Sequence, residues 1–209
     1  MREGRVTLPV GAVGCRRRQE ERCTMNRERA WELLCEYTTN DSLRKHALAV
    51  EAAMRYYARL LGGDEELWGA VGLLHDFDYE RWPNPPDHTR QGALLLRERG
   101  VDEEIIGAVL SHAEWNTEQY PRDRPLRKAL FAVDELSGFL IACALVRPNR
   151  LEGLEPKSVR KKMKTPSFAA AVSRADIERG AELLGIPLDQ HIRNCVAALQ
   201  SIAPQLGLA

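Results

Sequence analysis

At five places along the chain a histidine or an aspartate stands where an apolar helix face would otherwise continue: His46, His75 with Asp76, His88, His112, and Asp134. Imidazole and carboxylate donors without thiolates suit a borderline or hard cation such as manganese, iron, cobalt or zinc, with magnesium a further candidate. One or two divalent ions would account for the set. Any one of these histidines, taken singly, reads more simply as a core side chain bonded to a backbone carbonyl. Asp134 is harder to explain in that way. It lies in "LFAVDELSGFLIACALV", where only Asp134 and Glu135 are charged, and an ionised carboxylate left unpaired near a core is costly. A metal ion would compensate it, and so would an ion pair with Lys45, Arg81 or Lys128.

These residues need helices to carry them. Helical periodicity recurs throughout, and no run of alternating β-branched residues appears, so the expected fold class is all-α. From 42 to 61, His46, Val50, Ala53, Tyr57 and Leu60 fall at steps of three and four, which puts His46 on the buried stripe. From 64 to 76, Asp64 is the expected N-cap, and Leu67, Ala70, Val71 and Leu74 lead into His75, where the helix should end. The prolines of "ERWPNPPD" forbid further helix and form a stiff loop over that end. Asp87 is the expected cap of a helix from His88 to Arg99, stopped by Gly100. Asp102 caps the next helix, where Ile105, Val109 and His112 share one face, and "NTEQYPRDRP" closes that unit as a loop.

The helix from about 124 to 146 is the most apolar and is expected at the centre of a bundle. Beyond Pro148 and the basic "KSVRKKMK", two more amphipathic helices are expected in "TPSFAAAVSRADIERGAELLG" and "PLDQHIRNCVAALQSIAPQLGL". The division is a metal-binding core over 42–145 and a C-terminal helical cap over 156–207, within one domain from 25 to 209.

At 209 residues one domain with a real core is the natural expectation. Thirty basic residues balance thirty acidic ones, so no overall field recruits DNA or a membrane surface. Apolar content of 44 % with 29 % charged residues, and no apolar run of about 18 residues, predict a soluble protein. The cysteines (15, 23, 35, 143 and 195) are odd in number and never in a CxxC pair, which fits a reducing cytoplasm. Cys143 and Cys195 read as buried, inert thiols. Residues 1–24 carry a basic cluster and little periodicity, so they read as a disordered extension with Met25 as the start, the alternative being a transit-like leader.

The order His46, then His75-Asp76, then Asp134 resembles the HD superfamily of metal-dependent phosphohydrolases, and "LLHDFDYE", "DHTRQGALLL" and "FAVDELSGF" look like a branch of predicted hydrolases. The resemblance covers roughly Ser42 to Leu145. It implies an HD-type helical bundle in which His46, His75, Asp76 and Asp134 hold a first metal, while Asp76 bridges to a second held by His88 and His112. Neighbouring helix residues project about 100° apart, so His75 and Asp76 can face one centre only near a helix end. The proline-rich loop supplies that end.

Metal-assisted hydrolysis of a small phosphorylated metabolite or nucleotide is the activity this implies. Asp76 would be catalytic as the bridge. Asp78 would orient the water or protonate the leaving oxygen, or else cap the broken helix or pair with Arg81. Lys45, Arg81, Arg90, Lys128 and Arg147 are the cations expected at the phosphate. Tyr79, Trp82, Glu114 and Trp115 could rim the cleft or brace its loops. A dinucleoside tetraphosphate hydrolase, a di-iron oxygenase and a non-catalytic nucleotide sensor remain as alternatives, and a homodimer stays open.

Overall fold

The computed structural model describes residues 25–209, so the expectations for residues 1–24, including Cys15 and Cys23, lie outside the described residues. The helices are α1 (Arg27–Tyr37), α2 (Asp41–Leu61), α3 (Glu65–Leu74), α4 (Asp87–Glu98), α5 (Glu103–His112), α6 (Pro125–Leu145), α7 (Pro156–Met163), α8 (Arg174–Leu184), α9 (Leu188–Gln200) and α10 (Ala203–Leu206). A short 3-10 turn spans Glu114–Asn116, and no strand occurs among the described residues. The fold is all-α, as expected. None of the described helices is long and apolar enough to cross a membrane.

Side-chain caps set half of the helix starts. Asn26, Asn40, Asp64, Asp102 and Ser173 each accept a backbone N–H of the following first turn, which satisfies donors that have no partner inside the helix. Three expectations need correction. Asp87 makes no capping bond. "TPSFAAAV" is a run of turns, because Ser173 caps α8 and the helix starts only at Arg174. Leu60, expected on the buried stripe of α2, is 55 % exposed, since the stripe drifts off the core near the end of that long helix.

The long apolar helix α6 lies at the centre and packs against α2, α3, α5, α7, α8 and α9. Leu130, Val133, Leu136, Phe139 and Leu140 on it are fully buried. Two glycines allow close helix approach. A Cβ on Gly72 of α3 would stand 2.8 Å from the Glu51 Cα of α2, and one on Gly180 of α8 would stand 2.6 Å from the Ala132 Cα of α6. The first contact is what brings the helix bearing His46 alongside the one ending at His75. The second holds α8 directly against the central helix.

His191, the one histidine outside the metal-like set, sits fully buried on α9. Its Nε2–H donates to the Ala132 carbonyl at 2.8 Å, and the Tyr57 hydroxyl donates to Nδ1 at 2.7 Å. Burial pulls its pKa down to about 4, against the backbone bond that favours the charged ring. The unfolded imidazole takes up its proton near pH 6.5 and the folded one does not until about 4, so the unfolded state binds more protons in between. Stability is therefore present above pH 6.5 and falls as pH drops toward 4, by about 3 kcal/mol from this residue. Denaturant midpoints from pH 7 to 4.5, with chelator present, should fall less steeply for His191→Gln than for the unaltered chain; parallel slopes would remove the assignment. Burial also pushes the Cys143 thiol up to about 11 and raises Cys195, in keeping with inert core thiols.

Candidate metal centre and cleft

The turn after α3 presents the His-Asp pair. Thr38 Oγ1 donates to the Phe77 carbonyl at 3.0 Å, and the Glu80 carboxylate accepts from the Thr39 and Asn40 amides at 2.7 and 2.9 Å. This ties residues 77–80 to the corner between α1 and α2. His75 is left at the carboxyl end of α3, fully buried, with Asp76 one step beyond in the turn. The start of α4, the end of α5 and the flanks of α2 and α6 complete the ring.

Two groups of donors result. His46 Nε2 lies 3.0 Å from Asp134 Oδ1, His75 Nε2 lies 3.4 Å from the same oxygen, and the two imidazole nitrogens are 3.2 Å apart. His88 Nε2 and His112 Nε2 each lie 3.2 Å from Asp76 Oδ1. Asp76 Oδ2 stands 3.5 Å from His75 Nε2, so this carboxylate faces both groups. In each group, the donor atoms all lie within 4.8 Å of one another.

Outer hydrogen bonds aim the rings. His75 Nδ1–H donates to the Gly72 carbonyl at 2.8 Å and His112 Nδ1–H to the Val109 carbonyl at 2.6 Å. A carbonyl can only accept, so the proton belongs on Nδ1 and Nε2 turns inward as the ligand atom. His88 Nδ1 bonds the Asp78 carboxylate at 3.0 Å.

Protons compete for the same positions. Burial alone would lower His75, but the Asp76 and Asp134 carboxylates raise it to about 9. His88 is likewise raised to about 9, burial being overcome by Asp76 and Asp78. Burial also disfavours ionising Asp76 and Asp134, yet the neighbouring imidazoles hold both carboxyls well below their usual range. Burial and the Asp134 charge push Glu135 up to about 7.

The donor set fits a divalent metal better than protons. Two inward nitrogens 3.2 Å apart, both facing one oxygen, cannot be served by one hydrogen. Ligand atoms around an ion at about 2.1 Å stand roughly 3.0 to 3.4 Å apart, which matches the separations within the first group and the two distances from Asp76 in the second. His46, His75 and Asp134 could hold one ion, and Asp76, His88 and His112 another.

Of the readings left open for Asp78, its contacts are those of a helix cap, here of α4. It is 1 % exposed, and its Oδ2 accepts the Thr89 and Gly92 amides, each at 2.9 Å, while Oδ1 takes the His88 ring. It supplies the cap that Asp87 does not. Helical dihedrals start only after Thr89, which is held at φ 68°, and this break turns His88 into the cleft. With both oxygens engaged in this way, Asp78 faces His88 and the amides rather than a reacting water. Asp78→Ala should weaken metal binding about 10- to 100-fold and lower stability by about 2 to 4 kcal/mol through the unpaired amides. Titration calorimetry with manganese and denaturant melts would show both; unchanged affinity would rule the positioning role out.

The cleft over the donors measures about 450 Å³ and is also lined by Tyr79, Glu114, Trp115, Arg122, Glu135 and Asp176. None of the five cations expected at the substrate lines it. Lys45 pairs with Asp41 at 2.7 Å. Arg81 stacks on Tyr37 at 4.1 Å and donates to the Glu36 carbonyl. Arg90 lines a separate hollow beside Asn116 and Tyr120. Lys128 is half-buried on α6, off the cleft. Arg147 donates to the carbonyls of Arg150 and Glu152. Consequently neither Lys45, Arg81 nor Lys128 compensates Asp134, which faces histidines instead. Trp82 packs toward Tyr37 rather than lining the cleft. Sequence reading missed Arg122, Glu135 and Asp176; only the charge of Glu135 beside Asp134 hinted at one of them.

A family model described as the HD domain matches residues 43–177, more than half of the chain and including all six donors. No curated protein and no solved structure is similar enough to count as a match.

Proposed function

This chain belongs to the HD domain family, and from that membership we propose that it is a metal-dependent phosphohydrolase cleaving a small phosphate ester. The observation that carries the reading is the pair of converging donor groups joined by Asp76. His46, His75, Asp76 and Asp134 would hold one divalent ion, and Asp76, His88 and His112 a second. Ions held there supply Lewis acidity, lowering the pKa of a water and drawing charge from a phosphoryl oxygen.

The chain's own residues do the rest. The carbonyls of Gly72 and Val109 and the Asp78 carboxylate keep the imidazole Nδ1 protons outward, so the inward nitrogens stay available. Buried His75 excludes water from the floor, whereas Asp76 and Asp134, about one-fifth exposed, open to the cleft. Arg122 stitches the loop after α5 in place through the Ser111 and His112 carbonyls, which fixes the wall facing the donors. In hydrolysis the bond from phosphorus to the leaving oxygen breaks as one to a water oxygen forms.

The test begins with metal analysis of the full chain purified without chelators, followed by phosphate release from a panel of monoesters, diesters and nucleotides with each candidate ion. His88→Ala should take the metal content from two toward one and lower turnover. An unchanged stoichiometry would remove the two-ion assignment. Oxygen uptake by an iron-loaded protein, without phosphate release from any ester, would overturn hydrolysis in favour of oxidation.

A further inference from the structure

Beyond the six donors, the cleft wall carries three carboxylates, Glu114, Glu135 and Asp176, against one guanidinium, that of Arg122. Arg122 is already engaged. It pairs with Glu114 at 2.8 Å, donates to the Ser111 and His112 carbonyls at 2.9 and 2.7 Å, and lies over the Phe131 ring at 3.7 Å. Glu114 is also reached by Arg179 at 3.2 Å. Glu135 accepts only the Ser173 amide, at 3.1 Å, and no hydrogen bond or ion pair among the described residues reaches the Asp176 carboxylate. Among the described residues neither acid has a cationic side chain within ion-pair distance, although Asp176 lies near enough to Arg122 for their charges to act on each other.

A triphosphate placed on the donors would bring its outer phosphates against this wall, with no free cation to receive them among the described residues that line it and with like charges opposed. A cleft of about 450 Å³ suits a ligand of metabolite size. Tyr79 and Trp115 add aromatic faces at its mouth, a surface that favours a cationic group. Resting on the phosphohydrolase reading above, we propose that the substrate is a small phosphomonoester whose leaving group bears a protonated amine, the ammonium facing Glu135 and Asp176, and that nucleoside polyphosphates are rejected. Hydrolysis then yields inorganic phosphate and the free amino alcohol. The water supplies the oxygen gained by phosphorus and the proton gained by the leaving oxygen, and nothing is oxidised or reduced.

The experiment compares 2-aminoethyl phosphate with its uncharged isostere, n-propyl phosphate, alongside 2-phosphoglycolate and ATP, on the metal-loaded full chain. Aminoethyl phosphate should lead propyl phosphate about tenfold or more in kcat/KM, with ATP lowest. Asp176→Asn and Glu135→Gln should each move that ratio toward one. Because the two esters are compared on one preparation, a general loss of fold or metal cancels from the ratio. Asp176→Lys should shift preference toward 2-phosphoglycolate. A ratio at or below one in the unaltered chain, a ratio that neither substitution moves, or a preference for ATP would overturn the inference while leaving phosphohydrolysis standing. If neither the monoesters nor ATP nor any ester of the wider panel is hydrolysed, the phosphohydrolase reading fails and the inference fails with it.

Discussion

On the two-ion proposal, Asp76→Ala is expected to lower kcat/KM by at least about 10⁴-fold, equivalent to roughly 5 kcal/mol of transition-state stabilisation, and to leave His88 and His112 unable to hold an ion. The size of the effect follows from position. Asp76 Oδ1 is 3.2 Å from both His88 and His112, and Oδ2 faces His75 at 3.5 Å. Its removal leaves the two histidines of the second group with no anion between them and withdraws the carboxylate that joins the groups. Asp76→Asn keeps the shape and removes the charge, so it should be nearly as inactive. Circular dichroism and a denaturant melt in the presence of chelator separate loss of the centre from loss of fold. Retention of more than a tenth of the activity in a folded Asp76→Asn protein would show that the chemistry lies elsewhere.

The second large effect should come from a residue with no chemistry of its own. Gly72→Leu should lower stability by about 3 kcal/mol or more, because overpacking a close helix contact forces backbone movement. A Cβ there would already stand 2.8 Å from the Glu51 Cα and 2.9 Å from its nitrogen, so α2 and α3 would have to separate. For a chain of this length that corresponds to a fall in Tm of roughly 6 to 12 °C. The metal centre should suffer as well, since His46 rides on α2, His75 ends α3, and their Nε2 atoms are 3.2 Å apart. Gly72→Ala should show the same changes in smaller measure. Calorimetric melting with and without manganese reads both: the metal-induced rise in Tm should shrink along with Tm itself, and a full-sized rise would show that the helix contact does not set the donor spacing.

Much of the arrangement is legible without coordinates because it is local. Period, cap and breaker act over a few residues, so the helix limits at Asp64, His75, Asp102 and Gly100 follow from side-chain chemistry at those positions. The burial of α6 follows from its composition, and the candidate donors stand out because each interrupts an apolar face. Where local signals mislead, a distant partner has intervened. Asp87 looks like the cap of α4, but the Asp78 carboxylate, nine positions earlier, takes the amides and leaves Asp87 outside.

The amino-acid order by itself therefore determined an all-α chain and the six residues with donor chemistry to hold cations, since helix periodicity and the cost of an unpaired polar group on an apolar face are properties of short segments. Tertiary structure brought those six into two groups with Asp76 facing both, as the family resemblance had implied, and alone decided that Asp78 faces inward to His88 and that Arg122, Glu135 and Asp176 rather than Lys45, Arg81, Arg90, Lys128 or Arg147 wall the cleft. The reason is geometric. A long charged side chain on an exposed helix face has many directions open to it, and which one it takes depends on carbonyls and carboxylates delivered by other helices, whose approach is set by contacts such as those at Gly72 and Gly180.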